Sequence, residues 1–230
     1  MESWFLMFKF VDLPVEIPNL ESIDKDGKRY YPVPNGKFYP SITTVTSFQK
    51  AHVIQEWRKR VGEEFANRKT ARATGRGTAF HSIVEHYLKN EHISTDTFGP
   101  LPLTLFQVAK PILNRINNIH LLEGALYSDY LRVAGRVDCI AEFDGELAVI
   151  DFKTSDKDKK EEWIENYFVQ ATAYAVMFYE LTGIQPKKIV IIIATEEGHC
   201  QVIEKTNLDY YFTLLKEYID AFTRGGINAE

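Results

Sequence analysis

Apolar and β-branched residues crowd two runs, 133–143 and 147–152, and Asp144-Gly145 separates them, a pattern that predicts two antiparallel strands joined by a tight hairpin. A third run, 188–195 (KIVIIIAT), is a strongly apolar strand, and 199–205 is its expected hairpin partner. Helical character occupies 161–181, with Gly183 as its stop signal, and returns at 208–222. Upstream, 52–89 is almost continuously helical, broken at Gly62 and again at Gly75-Arg76-Gly77, and Ser41 is placed to cap a short helix. Residues 100–102 read as a loop, 103–117 as a helix, and a first strand is expected near 126–131. Residues 1–40 are proline-punctuated and aromatic, and Pro34-Asn35-Gly36 predicts a small hairpin packed on the main body.

The order of helices, a strand meander, a helix and more strands predicts an α/β fold, a mixed central sheet covered by helices. A chain of 230 residues with 45% hydrophobic content can bury its core as one domain. Its expected parts are a hairpin extension (1–40), a helical subregion (41–120), the sheet with its helix (121–206) and a closing helix (207–230). The formal net charge of −5 carries no global signal for nucleic acid, so any such function depends on a local basic patch or on metal ions. Cys139 and Cys200 stand far apart without a CxxC or Cys/His ladder, which argues against zinc and iron-sulfur sites and for free thiols in a reducing compartment. The apolar run 4–8 is too short for a signal-peptide core, and no stretch approaches the roughly 20 residues needed to span a membrane. The expected location is therefore the cytoplasm, or the host cytoplasm for a viral protein.

The hairpin carries aspartates where apolar residues would pack better. A two-residue turn sets Phe143 opposite Glu146, and counting outward brings Asp138 opposite Asp151; a loop one residue longer would leave them on a diagonal. Alternation places Lys153 on the face of Asp151. Two carboxylates beside an ammonium are costly unless a cation or a catalytic task justifies them, so removing either aspartate should relieve repulsion in the metal-free protein. Seven basic residues (Arg58, Lys59, Arg60, Arg68, Lys69, Arg72, Arg76) fall within nineteen positions, against only Glu63 and Glu64. Such a run is usually a solvated helix face, but this one leads directly to His81.

Taken in order, G-x-x-D (Gly135 to Asp138), D-x-K (Asp151 to Lys153) and Q-x-x-x-Y (Gln170, Tyr174) resemble the PD-(D/E)XK nuclease superfamily. Gly77-Thr78, His81 and Glu85 are similar to the G-T-x-x-H-x-x-x-E helix of its RecB-type branch. The runs YPSITTVTSF, GRVDCIAEF, DFKTS and QATAYA resemble the mitochondrial genome maintenance exonuclease group and its phage relatives, over roughly residues 39–195.

The resemblance implies a restriction-endonuclease-like sheet, with the helical subregion arching over a site that binds Mg²⁺ or Mn²⁺. Asp138, Asp151 and the Phe152 carbonyl would be metal ligands, with His81 a further ligand or a group orienting one. Lys153 would position or deprotonate the attacking water and neutralise charge on the phosphate, and Gln170 would orient the water or a phosphate oxygen. Tyr174, Arg72, Arg76, Thr78 and Glu123 are the expected substrate-side residues. Glu123 stands where related nucleases often have a helix-borne glutamate, although it also reads as a surface carboxylate. The implied activity is a metal-dependent DNA exonuclease acting on single-stranded ends in preference to duplex, with replication or recombination proteins as partners. A structure-specific endonuclease and a catalytically silent nucleic-acid-binding module remain open alternatives.

Overall fold

The computed structural model describes residues 7–227; most of the apolar run 4–8 lies outside them. Strands β1 (Ile23–Lys25), β2 (Lys28–Pro32) and β3 (Phe38–Pro40) form a small antiparallel sheet. The expected hairpin is present with Tyr31 paired to Tyr39, and a second turn at Asp26-Gly27, both at positive φ, adds the third strand. Ser41 then caps α1 (Ile42–Val61), its side chain accepting from the Thr44 N–H, and Gly62 at φ 85° separates α1 from α2 (Glu63–Leu88). A long helix follows the Ser41 cap where a short one was expected.

Two other expectations change. Helix α2 runs unbroken through Gly75-Arg76-Gly77. Buried Arg76, Phe80, Ile83 and Val84 anchor that stretch, and tertiary contacts there outweigh a glycine penalty of roughly 1 kcal/mol each. Helix α3 (Pro100–Leu113) starts at Pro100, since proline is tolerated in a first turn, and β4 (Ile116–Ser128) begins where helix was expected and well before residue 126. Left-handed residues at Asn118 and Glu123 and register shifts near Ile119 disrupt the alternation that would have marked this strand in the sequence.

Strands β5 (Val133–Phe143) and β6 (Glu146–Ser155) form the predicted hairpin, with Phe143 paired to Glu146 and both turn residues at positive φ. A single 3₁₀ turn (Glu161–Trp163) precedes α4 (Glu165–Thr182), which ends at Gly183 in the left-handed conformation. This helix crosses over to β7 (Lys188–Thr195), parallel to β6; β8 (Cys200–Lys205) and α5 (Leu208–Ile227) complete the fold. The main sheet has order β4-β5-β6-β7-β8 and is antiparallel except between β6 and β7.

Helices cover both faces, in keeping with the mixed α/β expectation. Ile42, Val45, Phe168, Phe178 and Leu215 pack on one side from α1, α4 and α5, and Phe80, Ile83, Leu105 and Phe106 on the other from α2 and α3. Strand β7 is buried along its whole length; Lys188 is tolerated there because its ammonium donates to the Phe143 carbonyl at 3.0 Å and pairs with Glu204 at 3.1 Å. Cys139 and Cys200 are both free, and burial raises the pKa of each thiol. Among the described residues no helix is long and apolar enough to cross a membrane.

Candidate active site

Three acidic residues lie side by side on the three neighbouring strands β4, β5 and β6. The β5–β6 ladder has Cys139↔Ile150 as its last pair, so Asp138 and Asp151 face each other just beyond it, in the predicted register. On the other edge of β5, Leu122↔Cys139 and Gly124↔Val137 bracket Asp138, which sets Glu123 beside it. Paired carboxylates would push the strands apart. Here Asp138 Oδ2 accepts from the Phe152 N–H at 2.8 Å, so the carboxylate takes a backbone donor that a continuing ladder would have used. Phe152 thus turns its N–H, and with it the carbonyl on the same edge of the strand, toward the β5 side where Asp138 lies.

Lys153 closes the other side. Its Nζ lies 2.6 Å from Asp151 Oδ1 and 2.5 Å from Oδ2, so the ammonium spans both carboxylate oxygens. The Tyr167 ring of α4 sits 5.1 Å from the same ammonium. Burial opposes the charge on Lys153, yet Asp151 and Asp138 outweigh it and raise its pKa. The two carboxylates it faces thus favour the charged form of this lysine, placed to donate to and neutralise negative charge. For Asp151, burial raises the carboxyl, Lys153 opposes, and Asp138 adds to the rise.

Helix α2 delivers His81. Its Nδ1 is 3.6 Å from Asp138 Oδ1 and 3.9 Å from Glu123 Oε1. Burial favours the neutral ring, but Asp138 and then Glu123 overcome it and raise its pKa to about 9, so an imidazolium balances the two carboxylates. Glu85, one helical turn on, turns away to pair with Lys89 at 2.6 Å.

His81, Glu123 and Asp138 can each offer one ligand atom, all within 4.8 Å of one another. Two carboxylates and one imidazole suit a hard divalent cation such as Mg²⁺ or Mn²⁺, and Asp151 faces Asp138 from the neighbouring strand. The residues present fit such an ion. Glu123, expected at the substrate, therefore stands among the ligand candidates. Its φ of 50° is uncommon for a non-glycine residue and turns its side chain into the cluster.

Other expected substrate contacts take different positions. Tyr174 is 2% exposed, and a methyl group at Gly135 would sit 2.9 Å from its ring and hydroxyl, so the glycine of G-x-x-D is the seat of this tyrosine. Gln170 Nε2 lies 3.4 Å from the Tyr174 hydroxyl, so half-buried Gln170 rests on Tyr174 one helical turn away. Arg76 is buried and donates to Thr154 at 3.1 Å, to Asp156 at 2.6 Å and to Glu196; Arg72 pairs with Glu196 at 2.6 Å. Arg76 and Lys69 hold Asp156 down to a pKa of about 2. Buried Arg76 clamps α2 against the ends of β6 and β7, whereas Arg72 pairs with Glu196 but stays exposed beside Phe65, Arg68 and Lys69. Thr78 is exposed on the same helix.

Tyr167 escaped the sequence reading, although its spacing of three from Gln170 and seven from Tyr174 marks one helix face.

The sequence profile of the PD-(D/E)XK nuclease superfamily matches residues 49–225, more than half of the chain. The chain belongs to the PD-(D/E)XK nuclease superfamily. It is similar to mitochondrial genome maintenance exonuclease 1 of Homo sapiens, with 29% identity over 173 residues, 69% of this chain and 50% of the relative. The Mus musculus protein of the same name is 28% identical over 172 residues (69% and 50%), and that of Xenopus tropicalis 29% over 178 residues (69% and 49%). The chain spans about half the length of these curated relatives. The mixed five-stranded sheet flanked by helices is the restriction-endonuclease-like arrangement expected of a PD-(D/E)XK nuclease domain.

Proposed function

We propose that this nuclease domain is a divalent-metal-dependent DNA exonuclease acting on single-stranded ends, in replication, repair or recombination. The observation that carries the reading is Lys153 clasping Asp151 beside the His81, Glu123 and Asp138 cluster. His81, Glu123, Asp138 and Asp151 would hold Mg²⁺ or Mn²⁺, which when bound supplies Lewis acidity at the phosphodiester. Lys153 donates to and neutralises the charge that develops as water adds to phosphorus and the ester P–O bond breaks. Gln170, fixed by Tyr174, presents its amide to the water or a phosphate oxygen. Phe65, half exposed on α2 among Arg68, Lys69 and Arg72, supports unpaired strands over duplex, since only unpaired bases offer a face for stacking. DNA as the substrate is supported by the names of the relatives, which are genome maintenance exonucleases.

End-labelled linear single-stranded DNA and a covalently closed circle, each with Mg²⁺, test this. Degradation of the linear strand alone is expected. Cutting of the circle would make the domain an endonuclease, and no cutting of either would make it a binding module.

A further inference from the structure

We propose that a second, open groove, formed by β2, β3, the β4–β5 turn and the end of α5, binds the single-stranded nucleic acid that extends away from the catalytic centre. The groove has a volume of about 870 Å³ and is lined by four cations, Lys28, Lys37, Arg132 and Arg224, against one carboxylate, Asp220. That carboxylate lies 3.9 Å from Arg224. Among the described residues, Lys28, Lys37 and Arg132 have no carboxylate within 4.0 Å. A chain of net charge −5 therefore keeps a local surplus of unneutralised positive charge here.

Two aromatic rings stand over the same groove: Phe38 is 58% exposed and Tyr130 66%. Both are held by a rigid frame. Glu180 accepts from the Asp129 N–H at 2.9 Å and the Tyr130 N–H at 3.3 Å, which fixes the β4–β5 turn. Asp129 in turn accepts from the Tyr39 hydroxyl at 2.7 Å and the Asn35 amide at 2.6 Å, which ties the β2–β3 hairpin to that turn. The backbone that carries both rings is therefore fixed before any ligand arrives, which lowers the ordering cost of binding.

Exposed, preorganised rings among unpaired cations match a strand of unpaired bases, whose phosphates meet the cations while the bases stack. Protein interfaces, by contrast, are depleted in lysine. Val133 at the groove and Asp138 at the catalytic centre lie on one strand, five residues or about 17 Å apart, a distance shorter than an extended strand of about 20 nucleotides.

This inference rests on the nuclease reading of the catalytic centre, and the test separates the two. In the full chain carrying Lys153→Ala, fluorescence anisotropy would measure binding of single strands of about 5 and about 20 nucleotides, lengths chosen to bracket one site. Phe38→Ala with Tyr130→Ala should weaken the long strand on the order of tenfold per ring and bring the long-to-short affinity ratio toward one. Lys37→Gln with Arg132→Gln should lower the salt dependence of long-strand binding by about 0.7 per cation removed. All four side chains are exposed, so parental melting temperatures are expected. An unchanged ratio and salt slope in folded variants, or tighter binding of duplex of the same length, would overturn the groove while leaving the nuclease intact. If the parent cuts no DNA and Lys153→Ala binds none, both readings fall.

Discussion

Substituting Gly135 by alanine tests whether the glycine of G-x-x-D serves the site by its shape. The added Cβ would lie 2.9 Å from Tyr174 Cε1, 2.9 Å from its hydroxyl and 3.1 Å from Ile42 Cγ2, well inside the roughly 3.5–4.0 Å of a comfortable contact. Neither neighbour can swing aside, because Tyr174 is 2% exposed and Ile42 fully buried. Overpacking of this kind costs about 1–3 kcal/mol, and for a chain of this length about 2–4 °C of Tm accompanies each kcal/mol, so a fall of roughly 2–12 °C is expected. The sign is informative. Gly135 has no positive φ, and a compatible Gly→Ala change would otherwise stabilise by about 0.4–1 kcal/mol through the unfolded chain. Cleavage should fall too, since a displaced Tyr174 takes Gln170 with it. Adding Tyr174→Phe removes the hydroxyl contact but not the ring contact, so the double variant should recover part of the lost stability, a coupling of about 0.5–3 kcal/mol. Thermal unfolding and single-turnover cleavage on the same preparations would decide it. A Gly135→Ala protein with parental Tm and parental cleavage would refute the steric argument.

Lys153→Ala should keep Mn²⁺ binding, since an ammonium is no ligand to a hard cation, yet cut DNA slower by orders of magnitude; near-normal cleavage in single turnover would remove it from the chemistry. Asp138→Ala and Asp138→Asn should both abolish metal-dependent cleavage. Only the alanine variant leaves the Phe152 N–H without an acceptor, at a cost of about 1–3 kcal/mol, so it should melt below the asparagine variant; equal melting would show that this hydrogen bond carries no stability. His81 is protonated below about pH 9 in the metal-free protein, whereas a ligating imidazole is neutral. Metal binding near neutral pH should therefore release close to one proton, and affinity should rise with pH until about 9. Calorimetric titrations in two buffers of different ionisation heat measure the release, and a value near zero would exclude His81 from the ligand set.

Local chemistry made part of this legible in one dimension. Asp144-Gly145 needs two positive φ angles, which selects a two-residue turn, and that turn alone dictates that Asp138 faces Asp151. Gly183 ends α4 and the apolar run 188–195 is a strand for equally local reasons. Other features belong to no local pattern. Glu123 joins the cluster because β4 begins at Ile116 and turns left-handed at that residue, so the periodicity that would have revealed the strand is broken at the position that matters. A basic residue in a sequence reads as a solvated charge; Arg76 becomes a buried clamp because the ends of β6 and β7 bring Asp156 and Glu196 to it from 80 and 120 residues away. Tyr174 is spaced from Gln170 as a partner at the site, but the gap above Gly135 makes it a wedge. The turn chemistry and the order of the motifs are determined by neighbours along the chain, whereas which charges are neutralised and which rings are buried depends on groups that only folding brings together.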